Sequence, residues 1–490
     1  MENDIDWSWD QDNNFINEVL PADTLDRQKY GKHLYDVCIA HGKISNLVIN
    51  INAEWGAGKT YFTKRLAQTI STTHATVYID AWKEDFSDDP LLTVFSSIKE
   101  QLTGQSDKFT TLLNKTISNL GPLLKTATPI LLEGLIKKYT GIESFSDLTK
   151  ELSTKLLDLH SEKANKIVTI KKGISEWVRY IEQQDGIEKK LPLFIIIDEL
   201  DRCRPDFAIS LLEITKHIFN IPGVIFIIST DTEQLQHSIK VVYGSEFSAS
   251  HYLNRFFDRR FLLPTPKLTG FLTTLCGGDF TENFDQYKRK LSPCPPDINK
   301  FINNCASVLQ ALKINLRDSI KLFNRLIDIT MITEKNFDPT LYLILSSLNI
   351  RDNEIYAMFK AKKVDKNRIQ FLSEEISLTF DLSRETTGVS TLISSNYDAS
   401  SRYSNSYTSK KIEVSISEYI NSAQSVIEIE DPVTVHHGDS YPEPWVHGGI
   451  SAEQTLENYL KMGWALRKKY DSSLHLSQYY DFIELSIIFE

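Results

Sequence analysis

Asn52-Ala53-Glu54-Trp55-Gly56-Ala57-Gly58-Lys59-Thr60 carries glycines, a lysine and a threonine at the spacing that holds a triphosphate. The apolar run Leu47-Val48-Ile49-Asn50-Ile51 before it suits a buried strand, and Tyr61 to Ile70 continues at helical spacing through Phe62, Leu66 and Ile70. Strand, loop and helix in that order point backbone N–H groups into a concave nest at a helix N-terminus, whose partial positive charge favours an anion. The expected nucleotide contacts are Trp55, Gly56, Ala57, Gly58, Lys59, Thr60 and Tyr61. Lys59 reaches the β and γ phosphates, and the Thr60 hydroxyl ligates Mg²⁺. The pattern G-x-x-x-x-G-K-[ST] is met except at its first glycine, where Ala53 stands. Alanine tolerates a positive φ poorly, so a slight distortion of the loop is expected there.

A second stretch supplies acids. Leu191-Pro192-Leu193-Phe194-Ile195-Ile196-Ile197-Asp198-Glu199-Leu200-Asp201-Arg202 opens with a continuous apolar run, the pattern of a central parallel strand covered by helices on both faces. Its acids come where the strand ends, and ligands of open α/β sheets bind at the carboxyl ends of strands. Asp198 is therefore expected to hold the Mg²⁺, through water, and Glu199 to polarise an attacking water. A third apolar run, Val224 to Ile228, ends in Ser229, Thr230 and Asp231. Any of these is placed to contact the γ-phosphate or orient the water, and Asp231 joins the nucleotide-contacting set.

Two arginine positions complete the catalytic candidates beside Glu199 and Lys59. Arg259, with Arg260 next to it, would stabilise charge on a transferring phosphoryl group from the same or a neighbouring subunit, or both would form salt bridges at a domain edge. Arg317 lies in the first turn of the helix expected after Asn315. It would close over the nucleotide from a helical lid or pair locally.

A chain of 490 residues exceeds one hydrophobic core, so two or three units are expected. A hydrophobic fraction of 41%, a charged fraction of 24% and a net charge of −11 describe a soluble globular protein, not one wrapped over its whole surface by nucleic acid. A local basic groove is compatible with that charge. Cys38, Cys203, Cys276, Cys294 and Cys305 form no C-x-x-C pair and read as reduced thiols. With an acidic N-terminus, they suggest a cytoplasmic location. The most apolar stretch, Leu120 to Ile136, contains Lys125, Glu133 and two prolines and falls short of the about 20 apolar residues of a spanning helix. Peripheral membrane contact stays open.

Along the chain, a lead-in helix with Leu25, Tyr30, Leu34 and Val37 precedes the loop, and Ala75 to Trp82 reads as a second buried strand. Asp89-Pro90 opens a helix over Leu91 to Leu102, since proline suits a first turn. Residues 105–190 read as an all-helical insertion whose last helix, Ile174 to Gln184, turns Trp177, Tyr180 and Ile181 to one side. The expected organisation is a core over 1–270, a helical lid over 271–350 and a C-terminal region over 351–490. Within the last, 390–411 reads as a mobile loop. His436, His437, Asp439, Glu443 and His447 could ligate a metal but match no standard spacing, and a plain loop accounts for them. An amphipathic helix over Ala452 to Lys469 and a closing strand or helix over Phe482 to Phe489 complete the reading.

These motifs together resemble the KAP family of P-loop NTPases. The likeness rests on Glu54-Trp55-Gly56-Ala57-Gly58-Lys59-Thr60, on Ile79-Asp80-Ala81-Trp82 with Asp89-Pro90, and on Ile197-Asp198-Glu199-Leu200-Asp201-Arg202-Cys203-Arg204-Pro205. It covers roughly residues 20 to 330. The resemblance implies an α/β three-layer sandwich with a parallel central sheet, a helical insertion between the Walker A and Walker B strands and a helical lid; beyond it a C-terminal α+β region is expected. It also implies an ATP- or GTP-hydrolysing, Mg²⁺-dependent switch that works with protein partners or as a homo-oligomer, and a role in excluding phage. A nucleotide-gated scaffold without significant turnover is the alternative. Glu199 stands where the family commonly has a second aspartate, which preserves a carboxylate.

Overall fold

The computed structural model describes residues 5–42, 45–87, 89–104, 106–120, 150–183, 189–264, 267–361, 374–381, 409–427 and 474–485. The chain divides into two compact units, Met1–Pro266 and Lys267–Glu490.

The first unit opens with a short hairpin, β1 (Asn13–Phe15) and β2 (Glu18–Leu20), followed by α1 (Gln28–Gly42). The lead-in helix thus starts after Leu25, which lies outside it. Then come β3 (Leu47–Asn52), α2 (Lys59–Ser71), β4 (His74–Asp80), α3 (Pro90–Leu102), α4 (Asp107–Ser118), α5 (Lys150–Gln183), β5 (Lys190–Asp198), α6 (Pro205–His217), β6 (Val224–Thr230), α7 (Thr232–Tyr243), α8 (Ala249–Leu253) and β7 (Arg259–Leu262). The strand expected to run to Trp82 stops at Asp80, whose carboxylate accepts from Lys83 N and turns the chain into a helical turn, leaving Trp82 exposed. Asp89 caps α3 by accepting from Leu91 N and Leu92 N, with Pro90 in its first turn as expected.

Five strands form one parallel sheet in the order β4-β5-β6-β3-β7. Alternation along each strand sends side chains to opposite faces. Val48, Val77, Ile195, Ile197, Phe226 and Ile228 join one core with residues of α3 to α8, including Trp177, Tyr180 and Ile181. Ile49, Ile51, Phe194, Ile196, Ile225 and Ile227 join another with Leu34, Phe62, Leu66, Ile70, Trp7 and Trp9. That is helix, sheet and helix, the three-layer α/β sandwich. The loop-bearing strand β3 and the acid-bearing strand β5 are not neighbours, because β6 lies between them.

The second unit contains α9 (Leu268–Leu275), α10 (Ile298–Ala311), α11 (Leu316–Ile332), α12 (Pro339–Arg351), α13 (Asn353–Lys360), the antiparallel pair β8 (Glu375–Asp381) and β9 (Ser409–Ser415), α14 (Ile416–Ile427) and α15 (Leu476–Leu485). The helices over 271–350 and the region beyond 350, expected as separate domains, share one core. Leu309, Phe323 and Leu345 pack in it with Ile376, Leu378, Tyr419 and Tyr479. Residues 409–411 of the expected mobile loop lie in β9, and Phe482 to Leu485 close the described chain as helix. The rest of that loop, the histidine-rich stretch from His436 to His447, the helix over 452–469 and the stretch from 121 to 136 lie outside the described residues. Among the described residues no helix is long and apolar enough to cross a membrane.

Candidate functional site

The loop after β3 turns through two left-handed glycines, Gly56 at φ 79° and Gly58 at φ 82°, and Gly58 is the N-cap of α2. A side chain at either position would strain that turn. Ala53 does not take a positive φ, so the distortion expected there is absent. Its N–H is instead held by Thr230 O at 3.3 Å, which ties the loop to the end of β6. Lys59 is buried, with Nζ 2.6 Å from Ala53 O and 3.2 Å from Glu54 O. Burial lowers its pKa, and the carboxylates of Asp201, Asp231, Asp198 and Glu199 pull it back up.

The acids stand at the end of β5. Asp198 is fully buried, and its Oδ2 accepts from Tyr78 OH at 3.0 Å and from Thr63 Oγ1 at 3.3 Å. Its Oδ1 has no hydrogen-bond partner among the described residues. Burial, with the Asp198 charge, pushes the Tyr78 phenol well up, so it stays a donor. Glu199 adopts a left-handed φ of 60°, which brings its side chain back to the loop. Thr60 Oγ1 donates to Glu199 Oε1 at 2.8 Å, and Arg202 Nε lies 2.5 Å from Oε2. Burial raises the Glu199 pKa against the opposing Thr60 hydrogen bond. The structure therefore joins Thr60 directly to Glu199, while Asp198 meets the next turn of α2 at Thr63.

Sequence reasoning missed Asp201. It is 6% exposed, its Oδ2 accepts from the Trp55 indole N–H, and its Oδ1 is a further buried oxygen without a partner. Burial raises its pKa, while the Lys59 charge and the Trp55 hydrogen bond oppose the shift. Its place three residues past Asp198, in an acid-rich strand end, was the available signal. Asn50 was missed as well. Inside β3 it donates to Thr230 Oγ1 at 2.8 Å and Ile228 O at 3.2 Å and accepts from Thr232 Oγ1 at 3.1 Å, clamping β3 to β6 beside the loop. Of the three candidate sensors, Thr230 is engaged by Asn50. Asp231 caps α7 through Glu233 N and Gln234 N, and Ser229 Oγ is buried without a partner.

A magnesium ion keeps several waters and binds proteins through one or two carboxylates and the substrate's phosphates. Among the described residues no three His, Cys, Asp or Glu side chains form a metal-binding group. One hydroxyl, Thr60, and the unpartnered Asp198 Oδ1 fit the magnesium donor set, which asks for no such group.

The remaining candidates of the first unit stand away from the loop. Arg259 pairs with Ile49 in the register of β7 against β3, three residues before the strand end at Asn52. Its guanidinium meets His41 Nε2 at 3.3 Å and is exposed, so it is not brought to the loop of its own chain. Arg260 donates to Asn254 Oδ1 at 2.6 Å. Arg317 belongs to the second unit, exposed in the first turn of α11, which Asn315 caps by accepting from Asp318 N. Tyr61 turns away from the loop to donate to Pro21 O at 2.9 Å. Arg27, unforeseen, reaches the loop from behind.

A parallel sheet with a glycine loop running into a helix, facing an acid-ended strand across an intervening one, defines the P-loop NTPase class. The chain belongs to the KAP family: the KAP family P-loop domain matches residues 27–428. No curated protein matches the chain. Among solved structures, the Aeropyrum pernix ORC2 protein in its ADPNP–ADP complexes is similar at 10% identity over 93% of this chain and 97% of that one, with a TM-score of 0.32. C. elegans PCH-2 is similar at 11% identity over 66% and 69%, with a TM-score of 0.26. At such scores the fold assignment stands on the sheet and the family match.

Proposed function

We propose that this protein is a Mg²⁺-dependent nucleoside triphosphatase, taking ATP, whose turnover works as a switch in an assembly of several components. The observation that carries the reading is the Thr60–Glu199 hydrogen bond, which closes the phosphate loop onto the acid strand across 139 positions of sequence. The loop N–H groups and the α2 N-terminus bind the phosphates. Lys59 exchanges the Ala53 and Glu54 carbonyls for β and γ phosphate oxygens. Thr60 and Asp198 would hold the metal, which supplies neutralisation of charge on the transferring phosphoryl group. As Thr60 turns away, Glu199 Oε1 is released to take a proton from water, and burial raises its pKa in the direction that makes it a stronger base.

The test is nucleotide binding and turnover in three proteins. Lys59→Ala is expected to lose both. Glu199→Gln is expected to keep binding and lose turnover by about 10²–10⁴-fold. Unchanged turnover in Lys59→Ala sinks the proposal. A second reading, a nucleotide-gated scaffold, is favoured by the tying up of Glu199, which is hydrogen-bonded by Thr60 at Oε1 and ion-paired with Arg202. If it holds, Glu199→Gln leaves nucleotide-dependent assembly size as in wild type, whereas the enzyme reading expects the variant to be trapped in its ATP-bound assembly. The role in excluding phage rests on the family resemblance, and plaque counts on cells carrying wild type or Lys59→Ala test it.

A further inference from the structure

We propose that Arg27 is a positioning residue for nucleotide binding: fixed behind the phosphate loop, it aims and strengthens the backbone donors that cradle the β-phosphate. The inference rests on the nucleotide reading of the site and names a residue that acts through the loop without touching the ligand.

Arg27 is 1% exposed, and it donates from Nη1 to Gly58 O at 2.9 Å and from Nη2 to Ala57 O at 2.5 Å. Those two carbonyls belong to the peptide planes whose N–H groups are those of Gly58 and Lys59. A peptide is planar with N–H and C=O on opposite sides, so fixing the oxygens outward aims both N–H groups inward. A cation on the oxygen also polarises the peptide and strengthens its donor, the cooperative effect of linked hydrogen bonds in a low dielectric. Gly58 O additionally accepts from Phe62 N at 3.2 Å, so one atom registers the loop against both Arg27 and the first turn of α2.

The backbone that carries Arg27 is itself held, while Arg27 Nε is buried with no hydrogen-bond partner among the described residues. Asp23 accepts from the N–H groups of Leu25 at 3.0 Å, Arg27 at 2.6 Å and Gln28 at 2.8 Å. The preceding arm is strapped to α2 by Arg65 Nη2 on Pro21 O at 2.6 Å and by Trp9 Nε1 on Thr69 Oγ1 at 2.9 Å. Burial brings the Arg27 pKa down to about 10, which leaves the side chain charged at neutral pH.

Wild type, Arg27→Met and Arg27→Lys are titrated calorimetrically with Mg·ATP and Mg·ADP, with steady-state turnover and melting temperature measured in parallel. Backbone donors at Gly58 and Lys59 serve a phosphate that both nucleotides carry. Arg27→Met is therefore expected to weaken ATP and ADP equally, each by about tenfold or more. The loss should appear in KM, with kcat at saturation nearly unchanged. Lysine keeps the charge but not the two-pronged donor, so Arg27→Lys should fall between the two. Added guanidinium ion, the head group that methionine lacks, should restore part of the ATP affinity of Arg27→Met, and methylammonium at the same concentration should not. Wild-type affinity in Arg27→Met overturns the proposal, as does weakening of ATP without ADP. If Arg27→Met does not fold, wild-type affinity in Arg27→Lys overturns it equally. A wild type that binds neither nucleotide overturns the reading of the site itself, and this inference with it.

Discussion

Asp198 at the end of β5, Asp201 just beyond it and Asp338 ahead of α12 are all buried, yet they live in opposite circumstances. Asp338, fully buried in the second unit, accepts from Leu341 N at 2.9 Å through Oδ1 and from Tyr419 OH at 2.7 Å through Oδ2. Its own N–H donates to Tyr479 OH at 2.6 Å. One side chain thus caps α12 and pins α14 beside it, while its backbone pins α15. Burial, with the Asp338 charge, pushes the Tyr419 phenol well up, so the donor is permanent. In the first unit, by contrast, Asp198 and Asp201 each keep one buried oxygen without a hydrogen-bond partner among the described residues. A buried carboxylate with both oxygens met serves the fold, whereas an unmet oxygen beside the phosphate loop costs stability and marks its group as a candidate for ligand contact.

That contrast can be broken by substitution. The largest effect is expected from Asp338→Ala, which removes two hydrogen bonds to a charged group, one of them the α12 cap, and should cost about 3 kcal/mol or more. For a unit of this size that lowers the melting temperature by roughly 6–12 °C. A calorimetric scan showing no shift would mean that Asp338 is not structural. Tyr419→Phe removes one of the same bonds and should cost about 2 kcal/mol, with the double variant much less than additive.

The smallest effect has the opposite sign. Asp201→Asn keeps an oxygen for the Trp55 indole but no buried charge, and should stabilise the protein by about 1 kcal/mol at neutral pH. Because the Asp201 pKa is raised in the folded state, the native protein binds the extra proton between the ordinary value of 3.8 and the raised one. Stability therefore falls as pH rises through that window. The gain from Asp201→Asn should be full above the window and vanish below it. Chemical denaturation at several pH values checks this, and a destabilised variant at neutral pH would count Asp201 with Asp338.

What was legible in the sequence was whatever one stretch of chain encodes by itself. The loop, the apolar runs of β3, β5 and β6, and the Asp89-Pro90 helix start each follow from local period and capping. Arg27 was not legible, because a polar arginine ahead of a helix reads as exposed. Only the path of the arm over α2 carries it to the loop. The β1–β2 hairpin was hidden for a similar reason: its turn places Ile16 and Asn17 at φ 46° and 61°, and isoleucine is a poor advertisement for a left-handed turn. Glu199 was legible as an acid beside the loop. Its bond to Thr60 depends on a positive φ that no glycine or asparagine announced.

The order of the sheet also bears on how the chain is made. Among the described residues β3 has only β6 and β7 as neighbours, and Leu47 pairs with Ile225. On the ribosome, at about 5–20 residues per second, the loop-bearing strand waits roughly 10–35 s for a first partner. During that interval Leu47 to Ile51 is an unpaired apolar edge, although β4 and β5 can pair once residue 198 is made. The nascent chain should consequently recruit chaperones from the first strand until residue 230 emerges, and a ribosome stalled anywhere between should hold a chain unable to form its phosphate loop.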